Sequence, residues 1–554
     1  MPAHGGAKCV TPFEMSAMSI GLNRDLPGLV TGSSHPAPVR SAPAAEGLAR
    51  AGRDLANLQL LRALAASLVL VHHVAVYAQT LRGAGRPWAV LDELMGVWGV
   101  AIFFALSGFL MARLITRDPP LVFLAHRVGR IVPTYFAVVA LFAGLFAALG
   151  LELGGVSVLA LSLAPAGQRS SPLNVEWTLV LELTFYLGLF LLAAAGQARR
   201  LVPVAAAWLA LLAVAFPLLP PDSRNMMPPP LYLVPVTAAC APFAGGLLLP
   251  RLIASGWIRP ATALLALPFA AACFVVDTAA ARWLGGIAAV LIVGAAVTAP
   301  PVRRQGPAAR GLIALGDWSY VLYLTHPPVL MLANWACPPH WPGPAYAAVC
   351  LAGALAVTAL LGPVDLAFYH RLRRRIDTLR PATLKRALAA FILVFTGCAL
   401  WGSIETARND WAESRARHAI ALAGGSWGSV AAAEAAIAER GLALPALRAS
   451  VESMERISAK ESLVTAHAFD PAAPDRGLHL ALFCGGRLVA LERPRRMRRD
   501  LAGRPGYEAM GQQRVGYRVR LPAAACSLED TLALVVDGAG LMAVLPIPPM
   551  ARHR

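Results

Sequence analysis

The sequence predicts an all-α polytopic membrane bundle followed by a small extracytoplasmic α/β or β-sandwich domain. Three observations predict it. Of the 554 residues, 57% are hydrophobic and only 14% charged, which is not the balance of a soluble domain. Apolar runs of about 18 residues or more recur through the first four hundred positions, and each is a candidate membrane span. Beyond residue 405 the pattern changes to polar helix, and then to short apolar runs punctuated by turn residues, which read as strands.

Taken in order, residues 1–50 are rich in Pro, Ala, Gly and Ser and lack an apolar core segment. They read as a disordered cytoplasmic tail, extended here to residue 55. Eleven spans are then expected, at 58–78, 94–113, 131–150, 174–195, 201–220, 231–250, 261–276, 283–299, 312–335, 344–368 and 387–404. The seventh and eighth are short. Loop charge tests this count. With the N-terminus cytoplasmic, the inside loops hold Arg113, Arg117, Arg127 and Arg130, then Arg199 and Arg200, Arg251 and Arg259, and Arg303, Arg304 and Arg310. The last inside loop, "YHRLRRRIDTLRPATLKR", is the most basic of all. The outside loops hold only Arg82, Arg86, Arg169, Arg224 and Arg282. Lys/Arg bias of this kind sets orientation, so the alternation fits a plasma (inner) membrane protein whose residues after 405 lie outside the cytoplasm.

The organisation expected is a ten-span domain over 56–370, a basic loop and eleventh span over 371–404, a helical linker over 405–460 and a β-rich domain over 461–554. Within the last, "GLHLALFCGGRLVALE" reads as a hairpin turning at Gly-Gly, and "TLALVVDGAGLMAVLP" carries an Asp-Gly turn. The net charge of +18 sits largely in short loops, so topology explains it. No nucleic-acid motif accompanies it, and no nucleic-acid partner is expected. The eight cysteines form no CxxC or Cys/His cluster, so no structural metal site is expected. Cys484 and Cys526 fall in the extracytoplasmic domain, where a disulfide between them is a hypothesis that strand register decides.

Ionisable residues inside a span are functional candidates, because each costs about 2.5–3.5 kcal/mol at the centre of a helix. In span 1, Arg62 and His73 stand eleven residues apart, about 16 Å along a helix axis, with His72 beside His73 as a snorkelling or structural group. In span 4, Glu182 lies at a depth similar to His73, where a carboxylate pairs with an imidazole, fixes its tautomer and raises its basicity. Glu176 is nearer the surface and reads as solvated. Ser107 and Gly108 interrupt the second apolar run, where small residues permit close helix approach. Arg127 and Arg130, spaced i, i+3, share a face that suits a phosphate or pyrophosphate as well as an ordinary positive-inside role. In span 9, Ser319, Tyr323 and His326 fall on one face, with Tyr320 close by, and Pro327 and Pro328 follow. A polar stripe of this kind suggests a cavity.

Together these pieces resemble the acyltransferase-3 family of membrane-bound O-acyltransferases. The matches are Arg62-x10-His73, "FFALSGF" at 103–109, "RVGRIVP" at 127–133, "EWTLVLE" at 176–182 and "GDWSYVLYLTH" at 316–326. Thr178 stands where Ser is commoner after the Trp. The resemblance covers about residues 56–370 and implies a ten-span acyltransferase core. It implies transfer of an acyl group, usually acetyl, from cytoplasmic acyl-CoA to a hydroxyl of an envelope glycan or a small molecule, with no bound cofactor or metal. It also implies His73 and Glu182 as the catalytic pair, with Arg62, Arg127 and Arg130 on the donor. Ser107, Trp177, Ser319, Tyr323 and His326 then line the cavity. Many members carry an extracytoplasmic hydrolase-like domain. Here "GGSWGSV" at 424–430 lacks the acidic residue expected beside the serine, so that two-domain mechanism is not carried over. The C-terminal domain faintly resembles small β-modules of glycan-processing proteins. The rival readings are a transporter or flippase of an envelope glycan or lipid, which needs no donor-side arginine pair, and a catalytically dead sensor.

Overall fold

The computed structural model describes residues 43–547, apart from residues 83–87, 221–222, 225, 303–305, 339, 445–446, 457–460, 475, 495, 499, 502–503, 511–513, 523–530 and 546. The chain divides into two units, Met1–Ser403 and Ile404–Arg554.

The first unit is built of α1 (Pro43–Arg82), α2 (Trp88–Leu114), α3 (Pro120–Ala148), α4 (Glu176–Ala194), α5 (Leu201–Leu218), α6 (Ala241–Ala254), α7 (Ala266–Ala272), α8 (Thr278–Thr298), α9 (Pro307–Asp317), α10 (Ser319–Ala336) and α11 (Gly343–Thr378), and α12 (Pro381–Leu422) begins in it. Among the described residues, eight helices are long and apolar enough to cross a membrane. They match the first to fifth, eighth, tenth and eleventh expected spans. The other three expected spans are interrupted. Residues 231–250 open as 3-10 turns around Pro235, and Thr237 is extended before α6 begins; proline removes a helix donor and blocks its own turn. The seventh is a 3-10 stretch leading into α7. The ninth breaks at Trp318 into α9 and α10. The eighth is longer than expected, 21 residues, because Asp277 caps it, accepting from the Ala279 and Ala280 amides at 2.8 and 3.0 Å. The expected disordered tail also needs correcting: α1 starts at Pro43, so residues 43–55, rich in Ala, Leu and Arg, are helical. Residues 1–42 lie outside the described residues.

Close helix approach is where the small residues matter. A Cβ on Gly108 of α2 would strike the Phe243 carbonyl oxygen of α6, and one on Gly246 would strike the Ala105 carbonyl oxygen. The α2–α6 crossing is therefore a backbone-to-backbone contact, the small-residue packing of membrane helices. Large apolar side chains such as Val214, Leu360, Val364 and Leu393 stay more than half exposed on long helices, a surface that suits lipid and not water.

The second unit holds two antiparallel four-stranded sheets, ordered β1-β2-β6-β5 and β4-β3-β7-β8. The strands are β1 (Arg448–Arg456), β2 (Glu461–Phe469), β3 (Leu478–Cys484), β4 (Arg487–Glu492), β5 (Arg496–Met497), β6 (Arg514–Pro522), β7 (Thr531–Asp537) and β8 (Met542–Leu545). β1 lies in the stretch expected to be helical linker. Val451 and Met454 of β1 join Val464, Leu480, Leu482, Tyr517, Val519 and Val535 in a core shared by both sheets. The other face of β3 and β7 packs Phe483, Leu532 and Leu534 against Ile420, Trp427 and Ile437 from the end of α12, the loop after it and α13 (Val430–Glu439). That double cover explains why every residue of β3 and β7 is buried. The Gly-Gly hairpin forms between β3 and β4, with Gly485 and Gly486 at φ 53° and 76°, as a primed turn requires. In the Asp-Gly turn, Asp537 accepts from the Ala539 and Leu541 amides. Cys484 is disulfide-bonded; its expected partner, Cys526, lies outside the described residues.

Candidate active site

Six helices of the first unit bring the site together. α1 supplies Arg62 and His73, α2 Ser107, α3 Arg127 and Arg130, α4 Trp177, Thr178 and Glu182, α8 Arg282, and α10 Ser319, Tyr323 and His326. They line two cavities. The first is walled by Arg62, Arg127, Arg130, Glu182, Tyr186, Ser319 and Tyr320. The second is walled by His72, His73, Trp177, Thr278 and Arg282. Val100, Phe104 and Tyr323 belong to both walls, so the two cavities share a partition.

Hydrogen bonding orders the histidines. His326 is fully buried, with Nδ1 2.9 Å from the Leu322 carbonyl and Nε2 3.2 Å from His73 Nδ1. His73 Nδ1 also lies 2.9 Å from the Val69 carbonyl. A carbonyl oxygen only accepts, so in the neutral rings both Nδ1 atoms carry the proton. His326 Nε2 is then the lone pair that shares the His73 Nδ1–H with Val69. His73 Nε2 is left as a lone pair on a residue that lines the second cavity. This is the geometry of a base whose tautomer is set from behind.

The expected His73–Glu182 pair does not form. Glu182 Oε1 accepts from the Tyr186 hydroxyl and, at 3.4 Å, from Ser107 Oγ, while Ser107 and Tyr186 lie 3.0 Å apart. Tyr186 is one helical turn from Glu182 and meets it directly, so the carboxylate faces the first cavity and His326 takes the place behind His73. Glu176 is also corrected. It is 2% exposed and accepts from Ser171 Oγ, the Leu173 and Val175 amides and the Tyr135 hydroxyl. These donors replace water at the start of α4.

The two arginines of α3 separate. Arg130 Nη1 donates to Asp365 Oδ2 at 2.7 Å, and its guanidinium lies over the rings of Tyr320 and Tyr369. Thr134 donates to the other Asp365 oxygen at 2.6 Å. Arg62 and Arg127 make no ion pair among the described residues, and the Arg127 Nε is buried without a partner. Ser319 Oγ is likewise buried and unpartnered on the wall of the first cavity. In the partition, the Tyr323 hydroxyl donates to the Val175 carbonyl at 2.8 Å and lies 2.6 Å from Thr178 Oγ1. Trp177 carries the Arg282 guanidinium over its ring, 5.7 Å from the centroid.

Sequence reasoning missed Tyr186, Asp365 and Arg282. Asp365 is a carboxylate inside an expected span and was detectable by the rule that flagged Glu182. Arg282 was absorbed into an outside loop, although it belongs to α8.

No curated protein and no solved structure matches the chain. The family model described as an acyltransferase domain, of the acyltransferase-3 family, matches residues 55–362. That match spans more than half of the chain and contains every site residue named above except Asp365 and Tyr369, and the chain belongs to the acyltransferase-3 family.

Proposed function

We propose that this membrane acyltransferase moves an acyl group, acetyl in the first instance, from acyl-CoA to a hydroxyl of an envelope glycan on the opposite side of the membrane. The observation that carries the reading is the pair of cavities meeting at Tyr323, one arginine-lined and one histidine-lined. The Lys/Arg bias supports an orientation with the first toward the cytoplasm and the second toward the outside. The first cavity, about 130 Å³, suits a thin thioester arm and not a nucleotide. The phosphates of the donor then stay at the cytoplasmic end, toward Arg127 and Arg62.

The acceptor hydroxyl approaches from the second cavity. His73 Nε2 takes its proton as the oxygen attacks the thioester carbonyl carbon. The Ser319 hydroxyl, buried without a partner on the wall of the first cavity, donates to the developing oxyanion. The tetrahedral intermediate collapses, the C–S bond breaks, and the thiolate takes the proton back from His73, leaving ester and free CoA thiol. His326 acts through His73 by accepting its Nδ1–H. Glu182, held by Ser107 and Tyr186, sets the charge of the donor cavity. Trp177 and Arg282 meet the acceptor.

The test uses membranes containing the protein, labelled acetyl-CoA and a panel of envelope fractions. Alkali-labile label that disappears in His73→Ala is the expected result. Label that survives the substitution removes His73 from the chemistry, and transport of glycan without consumption of acetyl-CoA would overturn the enzyme reading.

A further inference from the structure

The most basic loop of the sequence contributes no residue to the walls of either cavity. Its residues continue α11 beyond the apolar part of that helix. At 36 residues, α11 is about 54 Å long against a hydrocarbon core of about 30 Å, so its C-terminal turns leave the bilayer core. There Phe368, Arg371, Leu372, Arg374, Arg375 and Thr378 line one groove. Phe368, Arg371, Leu372, Arg375 and Thr378 are spaced i, i+3, i+4, i+7 and i+10, a single helical face. Phe368 is 45% exposed, and Arg371, Arg374 and Arg375 are exposed.

We infer that this face is a binding site for an anionic phospholipid, with the phosphate between the guanidiniums and an acyl chain along Phe368 and Leu372. Two observations carry it. First, the charges are uncompensated: Arg371, Arg374 and Arg375 make no ion pair among the described residues. The two carboxylates of α11 are committed elsewhere, Asp365 to Arg130 and Asp377 to His126. Second, the groove is mixed. Orientation in the membrane needs only positive charge in the loop, whereas a lipid needs guanidiniums and apolar surface on the same face. Arginine matches phosphate with a planar fork of donors, and basic clusters just beyond a span attract anionic headgroups.

The experiment is native mass spectrometry of the full-length protein in detergent, titrated with phosphatidylglycerol or with phosphatidylcholine of the same chains. Phosphatidylglycerol is expected to bind the wild type more tightly, and more weakly as salt rises. Arg371→Gln with Arg375→Gln is expected to weaken it about fivefold for each arginine removed. The same substitution at exposed Arg117, on another basic loop, is expected to leave it unchanged. Equal binding of the two lipids to the wild type would overturn the site without recourse to any variant. So would undiminished phosphatidylglycerol binding in the double variant, or displacement of the lipid by coenzyme A, which would assign the arginines to the donor.

Discussion

Replacement of His326 distinguishes a base from the group behind it. His326 is fully buried, and both its ring nitrogens are engaged, one by the Leu322 carbonyl and the other by His73. It is absent from both cavity walls, so in the proposed mechanism it acts through His73 and not on the acceptor. Its contribution is the lone pair that shares the His73 Nδ1–H. The Val69 carbonyl, 2.9 Å from the same nitrogen, keeps that proton in place when His326 is lost. His326→Leu is therefore expected to slow acyl transfer about tenfold, near 1.4 kcal/mol of barrier. His73→Ala removes the proposed base, and the expected loss is about a thousandfold, near 4 kcal/mol. His326→Gln retains an oxygen that can accept from Nδ1–H and is expected to fall within a few-fold of wild type. The assay is single-turnover transfer from labelled acetyl-CoA, with thermal unfolding of each variant to confirm folding. The reasoning would be refuted by a His326→Leu loss as large as that of His73→Ala, or by a glutamine variant no better than the leucine.

Four further outcomes are expected. Asp365→Asn strips the partner from Arg130 in a pair whose side chains are 18% and 7% exposed, and thermal unfolding in detergent should show a loss of about 3 kcal/mol, whereas Arg127→Gln should leave stability intact and raise the KM for acyl-CoA about tenfold. Arg282→Gln should raise the KM for acceptor and leave the donor KM unchanged, measured by varying each substrate in turn. Burial holds the His479 imidazole of β3 below its ordinary value, with Glu413 drawing it partly back and Arg493 adding to the depression. The unfolded chain thus binds more protons than the folded one as pH falls below about 6.5. Stability of the second unit is full above that value and declines beneath it. Protection factors of the β3 amides in the full chain, taken against the intrinsic exchange rate at each pH, should fall on acidification, and less so in His479→Gln.

The bundle was readable because a membrane leaves few choices: a long apolar run must be helical to satisfy its own backbone, and all eleven such runs contain helix. Where the reading failed, tertiary contacts decide. The break at Trp318 is invisible locally, yet its ring lies where a Cβ of Gly362 would stand, so the interruption depends on a glycine 44 residues away. β1 reads "RASVESMER", rich in helix formers. It is a strand because it pairs with β2 and buries Val451 and Met454 between the sheets, the override expected where packing outweighs propensity. For the site, counting ionisable residues found His73, His326 and Glu182. Depth then misassigned the partner, because depth along a helix says nothing about which way the side chain faces. Tyr186, four residues after Glu182, held the missing information.

Compensation separates the remaining charges into wall and site. A charged group in an apolar bundle is costly unless paired and hydrogen-bonded. Arg130 meets both conditions through Asp365 and two tyrosines, and Glu176 meets the second through four neutral donors. These residues hold the fold. Arg62 and Arg127 meet neither condition, although they line the same cavity. Spacing alone treats Arg127 and Arg130 as equivalents, and sequence cannot rank them. The structure ranks them through Asp365, which consumes one guanidinium and leaves the other, with an unpartnered buried Nε, facing the space where an anionic donor would bring the missing charge.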